Sequence, residues 1–149
     1  MPRSKAQTAA LLASPDDVEA QFYEALQQAD LDKLMAVWSD DDDIACVHPG
    51  GPRLTGPAEI RASFEAIFAN GAIPLQAQGV RRLQALGCAV HHVVERVTIA
   101  GADGERSAWV LATNVYLKTA QGWRMVAHHA SPGSQTELQE IHEQPQVLH

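Results

Sequence analysis

The sequence predicts an α+β domain with helices packed on one face of an antiparallel sheet, and three observations carry that prediction. Apolar residues recur at helical spacing in the first half, longer alternating stretches fill the second half, and short turn signals part those stretches as successive hairpins require.

Ser14-Pro15-Asp16-Asp17 supplies a capping hydroxyl, a proline suited to the first helical position and acids for the positive end of the helix dipole, so a helix begins there. Val18, Phe22, Ala25, Leu26 and Ala29 gather on one side of it and face inward. Asp30 caps a shorter helix carrying Leu31, Leu34, Met35, Val37 and Trp38, and the acidic run from Ser39 to Asp43 ends it as a solvated connector. Ile44 to Val47 reads as a brief strand, and the turn residues His48-Pro49-Gly50-Gly51-Pro52 leave His48 at its end. Gly56-Pro57-Ala58-Glu59 opens a third helix, whose Ile60, Phe64, Ile67 and Phe68 form a stripe ending near Asn70-Gly71. Four strands follow: Ile73 to Leu86, Cys88 to Ala100, Arg106 to Thr119 and Trp123 to Ser131.

The 149 residues, 46% of them hydrophobic, suit one compact domain, expected over 14–133 between a flexible N-terminal arm (1–13) and a polar C-terminal tail (134–149). Eleven Lys and Arg against 18 Asp and Glu leave a net charge of −7, which repels a polyanion and argues against nucleic acid as a partner. Cys46 and Cys88 lack CxxC spacing and read as free thiols of a reducing compartment. The alanine-rich start is too short for a convincing signal, and no stretch nears the roughly 20 apolar residues that span a bilayer, so a soluble cytoplasmic protein with no membrane partner is expected.

Three motifs in order, Val47-His48-Pro49 followed by Leu54-Thr55-Gly56-Pro57-Ala58-Glu59-Ile60, then Ala112-Thr113-Asn114-Val115-Tyr116, then Gly122-Trp123-Arg124-Met125-Val126-Ala127-His128-His129-Ala130-Ser131, resemble the NTF2-like superfamily. The resemblance extends to the helical opening with Phe22-Tyr23 and Leu31 to Trp38, covers about Asp16 to Ser131, and is greatest toward SnoaL-like members and the association domain of calcium/calmodulin-dependent kinase II. It implies a strongly curved antiparallel sheet wrapped around the N-terminal helices as a cone (a cystatin-like fold), a pocket at the open end and dimerisation through the sheet. Members include isomerases, cyclases, dehydratases, transport adaptors and oligomerising domains, so the resemblance implies no single reaction. Likeness to the kinase association domain implies assembly, not phosphorylation.

Strand parity then selects site candidates. With Leu117 set opposite Trp123 in the last hairpin, Trp109, Leu111, Thr113 and Val115 share an interior face with Met125, Ala127 and His129; a one-residue shift would bring Ala112, Asn114 and Tyr116 inward instead, and a bulge would mix the sets. His129, ending an apolar alternating run, and His48, at the pocket rim, are the candidate acid–base groups. Trp38 and Trp109 are candidate apolar walls, Thr113 lies on the favoured face, and Asn114 is held in reserve. Glu95 and Arg96 are adjacent in an apolar strand, so one charge faces inward: Glu95 as a base raised by desolvation, or Arg96 as an anion's partner. Relative to steroid-isomerase-like members, Tyr23 falls in the first helix and Tyr116 on the disfavoured parity, so a paired carboxylate and tyrosine is not expected.

No metal site is expected, because the neighbours in His91-His92 and His128-His129 face opposite sides and Asp40 to Asp43 lacks the spacing of a calcium loop. GxSxG and glycine-rich phosphate loops are missing, so neither a serine nucleophile nor a nucleotide cofactor is expected, and no other cofactor is implied. The leading expectation is a stand-alone pocket protein for an apolar, cyclic or carbonyl-bearing small molecule, with proton transfer of the isomerase, cyclase or dehydratase kind. The alternative is a non-catalytic homo-oligomerisation or protein-interaction module, motivated by apolar residues on both strand parities.

Overall fold

The computed structural model describes residues 12–102 and 104–133, so residues 1–11 of the expected arm and the expected tail 134–149 lie outside the described residues. Helix α1 (Pro15–Gln28) starts as expected, with Ser14 Oγ accepting from the Asp17 amide at 3.1 Å and Pro15 in the first turn. It ends at Ala29, whose left-handed φ of 52° lets its N–H reach the Ala25 and Leu26 carbonyls. Helix α2 (Leu31–Met35) is capped by the Asp30 carboxylate and is shorter than the apolar spacing suggests, because Trp38 leaves the helix to bridge Met125. Helix α3 (Pro57–Phe68) opens at Gly56, where φ is 86°, a conformation that favours glycine.

The strands are β1 (Ala45–Val47), β2 (Arg53–Thr55), β3 (Leu75–Gln84), β4 (Cys88–Gly101), β5 (Gly104–Thr119) and β6 (Gly122–Pro132), of which β2 was not expected. They form one curved, open sheet in the order β2-β1-β6-β5-β4-β3. All pairings are antiparallel except one: β1 runs parallel to β6, so the sheet is mixed rather than purely antiparallel. Short β1 reaches β6 only after a chain excursion through α3 and four further strands, which is the non-local connection that a parallel neighbour requires.

Phe22, Leu26, Ile60 and Phe64 of α1 and α3 fill the concave side against Val93, Ala112, Tyr116 and Met125 of the sheet. Burying Phe22 of α1 and Phe64 of α3 is worth about 1.5–3 kcal/mol each, which holds the two helices on the sheet although the same face of α1 carries Glu19 and Tyr23. Leu12 is also buried, and its carbonyl accepts from the Trp123 amide at 3.0 Å. The acidic run Asp40 to Asp43 is exposed, as a solvated connector should be.

Candidate functional site

Register brings Cys46, His128, Asn114 and His91 directly opposite one another across β1, β6, β5 and β4. All four are buried, which makes a polar row on the concave face. Helix α1 lays Glu19 and Tyr23, one helical turn apart, against it.

Two carboxylates anchor the resulting network. The Tyr23 hydroxyl donates to Glu95 Oε2 at 2.8 Å, and Asn114 Nδ2 donates to the Tyr23 oxygen at 3.0 Å. Asn114 Oδ1 meets His128 Nδ1 at 2.5 Å, and the other imidazole nitrogen, Nε2, lies 4.0 Å from Glu95 Oε2. Deeper along the same helix, Glu19 Oε2 accepts from the Tyr116 hydroxyl at 2.8 Å and pairs with His91 Nδ1 at 2.6 Å. The Phe22 ring centroid lies 4.9 Å from that of His128, and His48 stands equally far, 4.9 Å, from Phe64. Ser63 Oγ spends its proton on the Ile60 carbonyl, so its 3.0 Å contact with His48 makes His48 Nε2 the donor.

Burial sets the electrostatics. It raises Glu95 to about 7 against the partly offsetting Tyr23 hydrogen bond, and it lowers His128 to about 3 with help from His48 and His129. Near neutral pH, Glu95 therefore exchanges its proton while His128 stays neutral. Burial, then the Glu95 charge, pushes Tyr23 well above the usual phenol range and Cys46 up to about 12, so that thiol is no nucleophile.

Opposed shifts give a stability prediction. Folded His128 holds fewer protons than unfolded chain from about pH 3 to 6.5, which makes stability rise with pH; folded Glu95 holds more from about 4.5 to 7, which makes it fall. The two oppose each other over the shared window. Glu95→Gln leaves the His128 slope unopposed, so urea titrations should show its stability climbing more steeply with pH between 4.5 and 6.5 than that of wild type. Parallel curves for the two proteins would contradict the paired shifts.

The expected interior face is corrected by two register facts. The hairpin sets Lys118, not Leu117, opposite Trp123, which turns Ala112, Asn114 and Tyr116 inward on β5. Tyr116 then faces Met125 while Val115 faces Ala127, leaving Val126 as a bulge, so β6 switches parity and turns His128 and Ala130 inward. His129, expected inside, is therefore exposed, paired in register with half-buried Thr113. Thr113 meets exposed His92 at 3.2 Å on that outer face.

Glu95 takes the inward position and Arg96 the outward one, where Arg96 bonds Ser107 at 3.1 Å and lies 5.8 Å over the Trp109 ring. Trp109 is thus on the outside with it. Trp38 is buried away from the polar row and lines a separate cleft of about 310 Å³ with Met35, Pro57 and Arg61. His48 sits half-buried at the strand end, as expected, close enough for its charge to act on His128. The tyrosine that was not expected beside a carboxylate is there: Tyr23, on Glu95.

Sequence reasoning missed His128, Tyr23, Glu19, Tyr116 and His91. A usable signal existed in His91, Val93 and Glu95, which share one parity and put two polar groups on a face that cannot be simple core, and in Glu19 and Tyr23, which lie one turn apart beside Phe22 and Leu26. Among the described residues, no group of three His, Cys, Asp or Glu side chains is placed to hold a metal ion. Nor is any helix among them long and apolar enough to cross a membrane.

An open cone of sheet around helices, with a polar cluster on its concave face, is the NTF2-like architecture. Within it, this chain belongs to the SnoaL-like domain family, whose model matches residues 16–135. It is similar to a Thiobacillus denitrificans structure named as a calcium/calmodulin-dependent protein kinase type II association domain, at 39% identity and a TM-score of 0.76, over 83% of this chain and 98% of that one. It is also similar to a structure from Streptomyces avermitilis named as a dehydratase of the NTF2-like family, at 31% identity and a TM-score of 0.69, over 78% of this chain and 91% of that one. The calcium/calmodulin-dependent kinase II hub of S. rosetta shares the fold, with 18% identity and a TM-score of 0.63 over 89% of this chain and 100% of that one. None of the curated proteins matches the chain.

Proposed function

We propose that this protein binds an apolar, carbonyl-bearing small molecule within the cone and moves a proton on it, as an isomerase, cyclase or dehydratase does. One observation carries the reading: Glu95 Oε2 and His128 Nε2 face each other at 4.0 Å, both side chains more than nine-tenths buried. That gap is too long for a direct hydrogen bond and suits a ligand proton shared between them. The Glu95 carboxylate takes a proton from the carbon beside the carbonyl, and the resulting acid returns it at another atom, so the carboxylate is regenerated. His128 Nε2 orients a ligand hydroxyl beside the apolar Phe22 ring, whose centroid lies 4.9 Å from that of His128. The candidate catalytic groups are thus Glu95 and His128, with His48 at the rim and the exposed His129 left without a part. The similarity to a structure named as a dehydratase agrees with this class. The test is deuterium exchange, isomerisation or water loss across a panel of cyclic ketones and β-hydroxy ketones. Acceleration with at least one of them is expected, and a panel giving neither acceleration nor a ligand-induced rise in Tm would overturn the reading.

A second role is compatible with the first. The outer sheet face presents half-exposed Trp109, Leu111 and Val115 beside exposed Leu117, an apolar surface suited to a second copy of this chain, and two similar structures bear the names of assembly domains. Leu111→Glu places a charge in that face and should reduce the sedimentation coefficient to that of a monomer at micromolar concentration. Wild-type protein that already sediments as a monomer would remove this role.

A further inference from the structure

We infer that the cleft walled by Trp38 binds a free α-amino acid with an apolar side chain, at a site separate from the cone interior and independent of the activity proposed there. The cleft measures about 310 Å³ and lies between the chain leaving α2 and the first turn of α3. That size falls at the small end for ligand sites and suits a single amino acid better than a fused ring system. Its lining offers donors for a carboxylate, an acceptor for an ammonium group and apolar surface for a side chain.

Trp38 is only 5% exposed, and among the described residues its Nε1 is the buried side-chain nitrogen or oxygen without a hydrogen-bond partner. A buried indole N–H normally finds an acceptor, and an unmade bond there is costly. A ligand oxygen seated against the Trp38 wall removes that cost. On the other side, α3 starts at Gly56 with no side-chain cap, and Pro57 has no N–H to offer. Ala58 and Arg61 lie about one turn apart on the part of α3 that lines the cleft, so a first-turn amide, the positive end of the helix dipole and a guanidinium stand together there. Those donors form a carboxylate seat. Arg61 is free to turn to it, since its 3.1 Å bond to Asp32 joins two exposed side chains and such a pair is given up at little cost. Glu59, in the same turn, is outside the lining and accepts from the Thr55 amide at 3.0 Å.

A simple carboxylate does not match this lining. Asp40 lines the same cleft, and exposed Asp41, Asp42 and Asp43 follow it in a chain of net charge −7, so a ligand of net negative charge is repelled. An ammonium group answers Asp40, which has no ion pair among the described residues. A ligand carrying ammonium and carboxylate on one carbon is neutral overall and satisfies Arg61 and Asp40 together, and that grouping is the α-amino acid. Met35 and the Trp38 ring then receive the side chain, and their apolar surfaces select an aliphatic or aromatic one.

Proton–nitrogen NMR of the ¹⁵N-labelled full chain tests this by following the Trp38 indole N–H, assigned through bonds to its own backbone, as L-phenylalanine is added. A saturable downfield shift is expected, as a hydrogen bond forms at that N–H, with half-saturation at or below about 1 mM. N-acetyl-L-phenylalanine, which lacks the ammonium group, and phenethylamine, which lacks the carboxylate, should each bind about tenfold more weakly or worse. Arg61→Gln and Asp40→Asn change exposed side chains and leave the core intact, and each should weaken L-phenylalanine by about tenfold. Asp40→Asn should at the same time strengthen N-acetyl-L-phenylalanine, because the repulsion is gone. A Trp38 N–H unmoved at about 10 mM L-phenylalanine would overturn the inference. So would equal binding of the acetylated or decarboxylated analogue, or unchanged affinity in either variant. L-phenylalanine that shifts Phe22, Glu95 and His128 but not Trp38 would place the ligand in the cone and overturn it as well. Each of these outcomes is read without the ketone panel, so the cleft stands or falls apart from the proton-transfer reading.

Discussion

Glu95→Gln is expected to slow the proposed proton transfer by roughly 10²–10⁴-fold, the usual contribution of a positioned general acid–base group, while ligand affinity changes little. The substitution is isosteric, and the glutamine carbonyl can still accept from the Tyr23 hydroxyl that now bonds Glu95 at 2.8 Å. Asn114 and His128 therefore keep their places, and what is lost is the ability to take up a proton. The wild-type pH profile carries the same signature. Because burial raises Glu95 to about 7, the carboxylate form, which acts as base, accumulates as pH rises through that value, so kcat/KM should climb with a midpoint near 7 and then level. His128, held near 3, adds no inflection in that range. A variant as fast as wild type, or a flat wild-type profile from pH 5.5 to 8.5, would exclude Glu95 as the base.

The contrast between what the sequence reveals and what it hides is instructive at particular residues. Helix starts at Ser14-Pro15 and Gly56-Pro57 are local, set by capping and by fixed proline geometry, and both appear where the sequence places them. Site residues depend on parity, and parity depends on events that leave almost no local trace. A hairpin one residue tighter than expected turned Asn114 inward in place of Thr113, and one bulged residue, Val126, exchanged His129 for His128. Both inner and outer faces of β5 and β6 carry apolar residues, so hydrophobic alternation could not choose between them. Glu95 was legible because a charge inside an apolar strand is conspicuous whichever neighbour turns inward. Tyr23 was hidden by its setting: on a helix face crowded with core residues, a tyrosine looks like one more aromatic until the carboxylate it bonds is brought beside it from β4.

Asn114→Leu should destabilise the protein by roughly 1–4 kcal/mol, whereas Thr113→Val, one residue away, should stay within about 0.5 kcal/mol of wild type. The two side chains differ little in size and lie in the same strand, but the network divides them. Leucine at 114 removes the acceptor of the His128 Nδ1–H, a buried donor whose loss of partner costs about 1–3 kcal/mol, and deletes the amide's hydrogen bond to Tyr23 at about 1 kcal/mol. Some of that loss is offset by the leucine's own burial, which keeps the sum below the total of its parts. Thr113 is half-buried on the outer face, and its hydroxyl meets only exposed His92, where water replaces the lost bond. For a domain of this size, about 3 °C in Tm accompanies each kcal/mol, so thermal unfolding should separate the two variants by about 3–12 °C. Equal shifts would mean that Asn114 does not bind the network together and that the inner face has been assigned to the wrong parity; a loss confined to Asn114→Leu ties the stability of the cone to the same amide that aims His128 at Glu95.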